Sequence, residues 1–438
     1  MNHQIGNIPI PKYKRIVIVG GGFAGLKLAR KLSNTKYQVV LIDKNNYHQF
    51  QPLFYQVATA GLEPSAISFP FRRVFQNKKN VHFRLANLKE VDAKHKLIKT
   101  NIGELEYDYL MICTGADTNF FGLENVRQNS LAMKTTGEAL TIRNTILSNF
   151  EKALNTDDKT EQESYLNIVI VGGGPTGVEL AGAIAEMKKY VLPKDYPELD
   201  FDMMKIYLYE ASPRVLASMS EFSSETSQKY LEKLNVVVNT ETAVKDFDGK
   251  TVYLENEKIP SRTLLWAAGV SSKRILGIPD DLYVKGNRIR VDRFNHVDGL
   301  EGVFALGDIA YMEEEKYPRG HPQVAQAALQ QSANFVRNLK KFERDQPPVA
   351  FSYRDLGSLA TIGRNLAVAD FPLVQLKGFI AWALWLFVHL MSILGVKNRL
   401  MTFINWAWNY MTYDQTLRLL LQPKPKRKYR KEKPEVHL

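Results

Sequence analysis

Cysteine is almost missing from this chain: one residue, Cys113, in 438. A single thiol builds no disulfide framework and no cysteine metal site, and no metal is expected. Cys113 ends the apolar run Tyr109-Leu110-Met111-Ile112, which suits a buried strand. A signal peptide is also missing, because polar residues lead almost directly into an apolar strand. That predicts a chain retained in the cytoplasm. Acidic residues are scarce relative to basic ones, 46 against 58, giving a formal charge of +12. Much of the excess lies in Lys424, Lys426, Arg427, Lys428, Arg430, Lys431 and Lys433, a tail suited to acidic lipid, to nucleic acid or to solvent. Long hydrophobic runs are few. Phe379 to Gly395 reaches only the lower edge of membrane-spanning length. The rest is ordinary for a globular protein, 45% apolar and 24% charged, and the length calls for two or three domains.

What is present begins with Arg15-Ile16-Val17-Ile18-Val19, which runs into Gly20-x-Gly22-x-x-Gly25. An unbroken β-branched run reads as a strand buried on both faces of a parallel sheet. Gly20 permits the tight turn, Gly22 lets the backbone approach a pyrophosphate, and Gly25 lets the following helix pack on the strand. That helix presents free N–H groups and partial positive charge to phosphate. Val39 to Ile42 is a second buried strand, and Asp43 ends it where a carboxylate would hold a ribose.

The pattern then returns. Asn167 to Val171 leads into Gly172, Gly174, Pro175, Thr176 and Gly177, and Lys205 to Tyr209 ends at Glu210. Residues of about Met187 to Phe201 form an insertion. Thr263 to Gly269 mirrors the strand that ends at Thr114-Gly115. A late strand, Gly302 to Leu306, ends in Gly307-Asp308, and a helix is expected from Pro322. The predicted fold is α/β, with two Rossmann-like dinucleotide-binding domains, the second inserted in the first, and a C-terminal amphipathic helical membrane-binding segment. The expected boundaries are 1–125 with 290–345, then 126–289, then 346–438. Between these landmarks, Val81 to Leu85 and Leu97 to Lys99 read as short antiparallel strands, Lys134 to Leu154 as a helix and Asn155 to Ser164 as a linker. The aromatic, amide-rich stretch from Asn45 to Gly61 suits a segment against a flat ligand, or an ordinary amphipathic helix start.

Two such units with a late Gly-Asp strand resemble the two-dinucleotide-fold flavoprotein reductases. Three details narrow the resemblance: Gly-Gly-Gly-Pro-Thr-Gly-Val-Glu at 172–179, Ala325-Gln326-x-Ala328-x-Gln330, and the aromatic C-terminal tail. Together, over about residues 14 to 421, they are similar to the type II NADH dehydrogenase family, single-chain NADH:quinone oxidoreductases that pump no protons. The resemblance implies FAD on Gly20, Gly22, Phe23, Ala24 and Gly25, with its ribose at Asp43 and Lys44. Phe50, Gln51, Pro52, Leu53, Gln56, Val57, Thr114 and Gly115 would line the flavin. Gly307 and Asp308 would hold its ribityl or pyrophosphate side, and Ala325 and Gln326 would meet its pyrimidine end. NADH would lie on Gly172, Gly174, Pro175, Thr176 and Gly177, with Ala268 and Gly269 nearby and its ribose on Glu210. A carboxylate there repels a 2′-phosphate, favouring NADH over NADPH, although Arg214 is near in sequence.

Four residues are candidates for the chemistry. Glu179 sits in a first helical turn, where a carboxylate is comfortable; the resemblance puts it near nicotinamide and flavin. Gln326 and Gln330 share a helix face, and amides suit a quinone whose carbonyls become hydroxyls; polar-face filler is the plain alternative. Lys377 would polarise a carbonyl or simply snorkel. Without a thiol pair, the chemistry of disulfide reductases and sulfide:quinone oxidoreductases is excluded.

The tail completes the picture. Lys377 precedes the apolar run, and Lys397 and Arg399 follow it. Basic residues at both ends favour a helix in the interface over one crossing the bilayer. Trp406, Trp408, Tyr410 and Tyr413 suit the headgroup level. The partners implied are quinone, an anionic lipid surface and a second copy of the chain, with no nucleic acid. The location implied is the cytoplasmic face of the cell membrane. Two other readings stand beside this one: an NAD(P)H reductase with a protein or oxygen acceptor, and a flavoprotein interaction module.

Overall fold

The computed structural model describes residues 4–413 and 417–420; the basic cluster from Lys424 to Lys433 lies outside them. The strand Arg15–Val19 forms as its sequence dictates, its apolar residues wholly enclosed. It is central in a five-stranded parallel sheet ordered Val303–Ala305, Tyr109–Ile112, Arg15–Val19, Gln38–Asp43, Val81–Leu85. A second parallel sheet repeats the order: Leu131–Ala132, Thr263–Trp266, Ile168–Val171, Ile206–Tyr209, Val236–Asn239. Each unit also carries a three-stranded antiparallel meander at the corresponding place, from Leu88 to Glu106 and from Asp246 to Pro260. The late strand Val303–Ala305 returns to the first sheet after the whole second unit. The two crossing segments, Asp117–Thr118 and Val270–Ser271, pair with each other.

Four sequence expectations change. Val81–Leu85 is not antiparallel but the parallel edge of the first sheet, and its alternating pattern reflects one half-exposed edge face. The expected linker holds the helix Lys159–Leu166, whose N-terminus is capped by Asp158. The segment from Asn45 to Gly61, read as a face for a flat ligand or an amphipathic helix start, is a short strand, a 3-10 turn and the short helix Phe54–Ala58. The late helix begins at Ala325, not Pro322; Gln323 lies outside it and donates to the Asp308 carbonyl at 3.0 Å.

Six helices place the site. Helix α1 (Phe23–Leu32) follows the first glycine turn. Helix α2 (Phe54–Ala58) lies in the aromatic segment. Helix α3 (Pro175–Tyr190) follows the second glycine turn. Helix α4 (Ala325–Phe342) packs along α1, where the Ser332 hydroxyl donates to the Ala24 carbonyl at 3.1 Å. Beyond it the hairpin Ser358–Gly363/Leu366–Asp370 lies across α3. The approach is so close that a Cβ on Gly182 would meet the Ile362 carbonyl oxygen at 1.6 Å. Helix α5 (Gly378–Ser392) covers the hairpin, turns at Gly395 with φ +85°, and leads into α6 (Val396–Thr412). Among the described residues no helix is long and apolar enough to cross a membrane.

Candidate functional site

Both glycine turns are built alike. Gly20 and Gly172 have φ of +100° and +108°, which an L side chain resists. Gly25 and Gly177 admit no side chain, since a Cβ would lie 1.8 and 1.9 Å from the carbonyl oxygens of Gly20 and Gly172. At Gly22 and Gly174 a Cβ would meet nothing within 4 Å. The chain is thus closed where helix meets strand and open where a pyrophosphate would approach, so both cradles fit a dinucleotide. The carboxylates match as well. Asp43 accepts from the amides of Gly21 (2.6 Å) and Asn45 (2.7 Å), and Glu210 from those of Gly173 and Ser212. Arg214 donates to the Ala217 carbonyl at 3.1 Å. Burial pushes Asp43 above the ordinary carboxyl range, and Asp308 likewise. Gly307, with φ +76°, sits between Ala24 and Ala328, bringing Asp308 beside α1 and α4.

A cavity of about 560 Å³ joins both units to the C-terminal helices. Tyr55 and Gln56 of α2 form one wall, and Glu179, Ala183 and Glu186 of α3 another. Thr361 and Arg364 come from the hairpin; Trp385 of α5 and Trp406 of α6 close it with other aromatic and aliphatic side chains. Glu179 is 8% exposed. Burial raises its pKa to about 8, against the opposing pull of two hydrogen bonds. Both bonds, from Trp385 Nε1 (3.2 Å) and the Thr361 amide (3.5 Å), arrive at Oε1. Oε1 is therefore the carbonyl oxygen and the acid proton sits on Oε2, available to an acceptor. Gln56 accepts from Trp406 Nε1 (2.7 Å) and donates to the Tyr55 hydroxyl (2.9 Å). His389 stacks on Trp385 at 4.0 Å between centroids and meets Phe50 edge-on. Burial lowers its pKa to about 4, so it is neutral.

The predicted residues divide. Phe23, Phe50 and Ala24 converge on the first cradle, and Phe23 meets Phe50 edge to face. Leu53 and Val57, expected to line the flavin, are wholly enclosed, their side chains packed into the core. Gln51, Lys44, Thr114, Pro175 and Thr176 are exposed around the cradles, and Pro52, Gly115, Ala268 and Ala325 are half-buried. Gly269 (φ +67°) lies against the Phe121 ring. Gln326 and Gln330 bind backbone: Gln326 pairs with Leu356 and Gly357, Gln330 with Arg354. Each amide works as a clasp for the strand-like segment leading to the hairpin, with one donor hydrogen to spare. Lys377 points away from the cavity, its Nζ 5.2 Å from the Phe222 ring centre. Sequence reasoning missed Glu186, Arg364 and the cavity roles of Tyr55, Trp385 and Trp406. For Glu186 a signal existed, two helical turns beyond Glu179 on an otherwise apolar face.

Duplicated dinucleotide cradles, with a buried acid just past the second one in a cavity shared with the C-terminal helices, define a flavin-type nucleotide reductase. The family model "Pyridine nucleotide-disulphide oxidoreductase" matches residues 14–332, and "NDH2 C-terminal domain" matches 356–412. Two type II NADH:quinone oxidoreductases of Mycobacterium tuberculosis are 33% and 32% identical, over 92% and 91% of this chain and 89% and 87% of theirs. A solved structure of NDH2 from Plasmodium falciparum in complex with NADH superposes with TM-score 0.86 at 22% identity, covering 93% of this chain and all of that one. The chain belongs to the pyridine nucleotide-disulphide oxidoreductase family, among its type II NADH:quinone oxidoreductases.

Proposed function

We propose that this chain is an FAD-dependent NADH:quinone oxidoreductase that pumps no protons and works at a membrane surface. One observation carries the reading: a single aromatic cavity runs from Glu179, just past the second nucleotide cradle, to the C-terminal helices. The proposal assigns 1–125 with 290–345 to FAD, 126–289 to NADH and 346–438 to the membrane. Gly20, Gly22, Gly25, Asp43, Gly307 and Asp308 would hold the flavin, and Gly172, Gly174, Gly177 and Glu210 the NADH. A flavin bound there supplies two-electron transfer between a nicotinamide and a quinone. The chain's own part is to orient both substrates, wall the cavity with Trp385 and Trp406, and offer the Glu179 proton to a quinone oxygen. Stopped-flow mixing tests this. NADH should bleach the flavin, and ubiquinone or menaquinone analogues should restore its colour; bleaching without restoration by any quinone rejects the reading.

Coenzyme choice follows from Glu210, because its carboxylate would face a 2′-phosphate, while Arg214 spends one of its donors on the Ala217 carbonyl. kcat/KM for NADPH should lie on the order of 10²-fold below that for NADH, and Glu210→Ser should narrow the gap to about tenfold. Equal rates in the wild type would refute the assignment.

The membrane face rests on exposed apolar side chains. Ile380, Phe387, Phe403 and Met411 are 65, 61, 55 and 81% exposed, and Leu373, in the turn between the strands Leu366–Asp370 and Gln375–Lys377, is 99% exposed. From Phe371 to Tyr413 there is no acidic residue. Such a patch, flanked by Lys397 and Arg399, suits an anionic lipid surface, which the proposal places on the cytoplasmic face of the cell membrane; a second copy of the chain would cover part of the same patch. Deleting the tail is a poor test, because Trp385 belongs to the core. Replacing Ile380, Phe387, Phe403 and Met411 together by Glu should abolish binding to anionic vesicles while sparing reduction of a water-soluble quinone. Retained vesicle binding would exclude this face.

A further inference from the structure

Reducing a quinone with NADH consumes one proton from water: NADH + H⁺ + quinone gives NAD⁺ + quinol. NADH brings two electrons and one hydrogen, so each turnover must draw one more proton into an apolar cavity. Glu179 can hold that proton, but at 8% exposure it cannot collect the next one directly from solvent. Something must reload it.

Resting on the proposed reaction, we infer that Glu186 is the outer station of a two-carboxyl proton path along α3. Glu179 and Glu186 are seven residues apart, about 10 Å along the helix axis, and both line the same cavity. Ala183, one turn from each, lines the wall between them, and its small side chain leaves room for water. Glu186 is only half-buried, in the last turns of α3, whose neighbour Lys189 is exposed. Its Oε1 accepts from the Arg364 amide at 2.5 Å. Among the described residues no Lys, Arg or His side chain forms an ion pair with it.

The surrounding charges fit a carrier rather than a fixed anion. Arg364, on the hairpin turn, is held between the rings of Tyr410 and Tyr413, and Tyr190 of α3 stacks on Tyr413. Burial raises the pKa of Glu186, while Arg364 and Lys189 pull it back down. Toward the interior stand Glu179 and the Tyr55 hydroxyl, whose pKa is raised far above the ordinary value and which stays protonated. His389, behind Trp385, is neutral. The sequence of events balances. Glu179 gives its Oε2 proton to a quinone oxygen, Glu186 passes its own to Glu179 through water, and Glu186 takes one from solvent. No carboxyl is consumed.

The test compares wild type with Glu186→Gln, which keeps the acceptor for the Arg364 amide. Bleaching of the flavin by NADH needs no solvent proton and should stay within about twofold. Restoration by a quinone analogue should slow on the order of tenfold at pH 8 and less at pH 6. Proton uptake, followed with an indicator dye, should slow with it, and added formate should recover the rate. Glu186→Asp, with its carboxyl one methylene shorter, should recover part of it and shift the pH profile. It decides the matter if the Gln protein does not fold. An unchanged rate and pH profile in the Gln variant overturns the inference. So does a slowing that is equal at every pH and not recovered by formate, or an Asp variant with the wild-type profile. A wild type that quinones fail to reoxidise overturns the proposed reaction itself, a result visible before any variant is made.

Discussion

Gly25→Ala should yield protein that retains no flavin and melts well below wild type, whereas Gly22→Ala should fold normally and still lose flavin. The two substitutions add the same methyl group three residues apart, and the structure separates their consequences. At Gly25 the methyl carbon would lie 1.8 Å from the Gly20 carbonyl oxygen and 3.1 Å from Ile18. Relief requires α1 to move more than an ångström from its strand. The surrounding core is dense: Ile16, Ile18, Leu28, Leu41 and Phe71 are wholly enclosed, so the overpacking costs about 3 kcal/mol or more. The Gly20 turn, closed by its own amide on the Ile42 carbonyl at 2.8 Å, would shift with it. At Gly22 nothing lies within 4 Å, so the fold is indifferent. The methyl would stand in the space through which a pyrophosphate approaches. Flavin absorbance per protein and thermal melting by circular dichroism distinguish the cases. A Gly22→Ala protein that stays fully yellow would remove the first cradle from the flavin site.

The second large effect concerns Glu179 and is a matter of pH. Its folded pKa of about 8 exceeds the ordinary glutamate value, because burial disfavours the charged form. The folded chain therefore holds a proton that the unfolded chain has lost. The stability this contributes is complete below the unfolded pKa and is lost as pH rises through the folded one. Across the interval from about 4.5 to 8 the loss is on the order of 5 kcal/mol. Glu179→Gln keeps the shape of the protonated acid, including an oxygen for the Trp385 and Thr361 donors, and has nothing to titrate. Measured by urea unfolding at matched flavin content, the variant should gain on wild type as pH is raised, by about that amount. It should also slow quinone-driven return of flavin colour about 10²-fold, since the proton donor is gone. Parallel stability curves from pH 5 to 8 would show that Glu179 is already ionised, and the acid role would fall.

The cradles were legible before folding because their requirements are local. A turn with positive φ, a close helix contact and an open approach each demand glycine at a fixed spacing, and Asp43 and Glu210 follow one strand later. Duplication doubled the signal. The edge strand Val81–Leu85 was misread because alternation reports a half-exposed face and says nothing about strand direction. Gln326 and Gln330 were placed on one helix face correctly. Only the fold brings residues 354–357 to their amides.

By itself the sequence determined two nucleotide units, the insertion of one in the other, and an aromatic basic C-terminal region, all written in patterns a few residues long. The tertiary structure alone decided the cavity. Tyr55, Glu179, Arg364 and Trp385 come from segments separated by up to 330 residues, and no local pattern encodes their meeting. Whether Glu179 is an anion at a helix start or a protonated acid depends on what covers it. Trp385, Thr361 and the packed hairpin bury it, and burial disfavours the charged form.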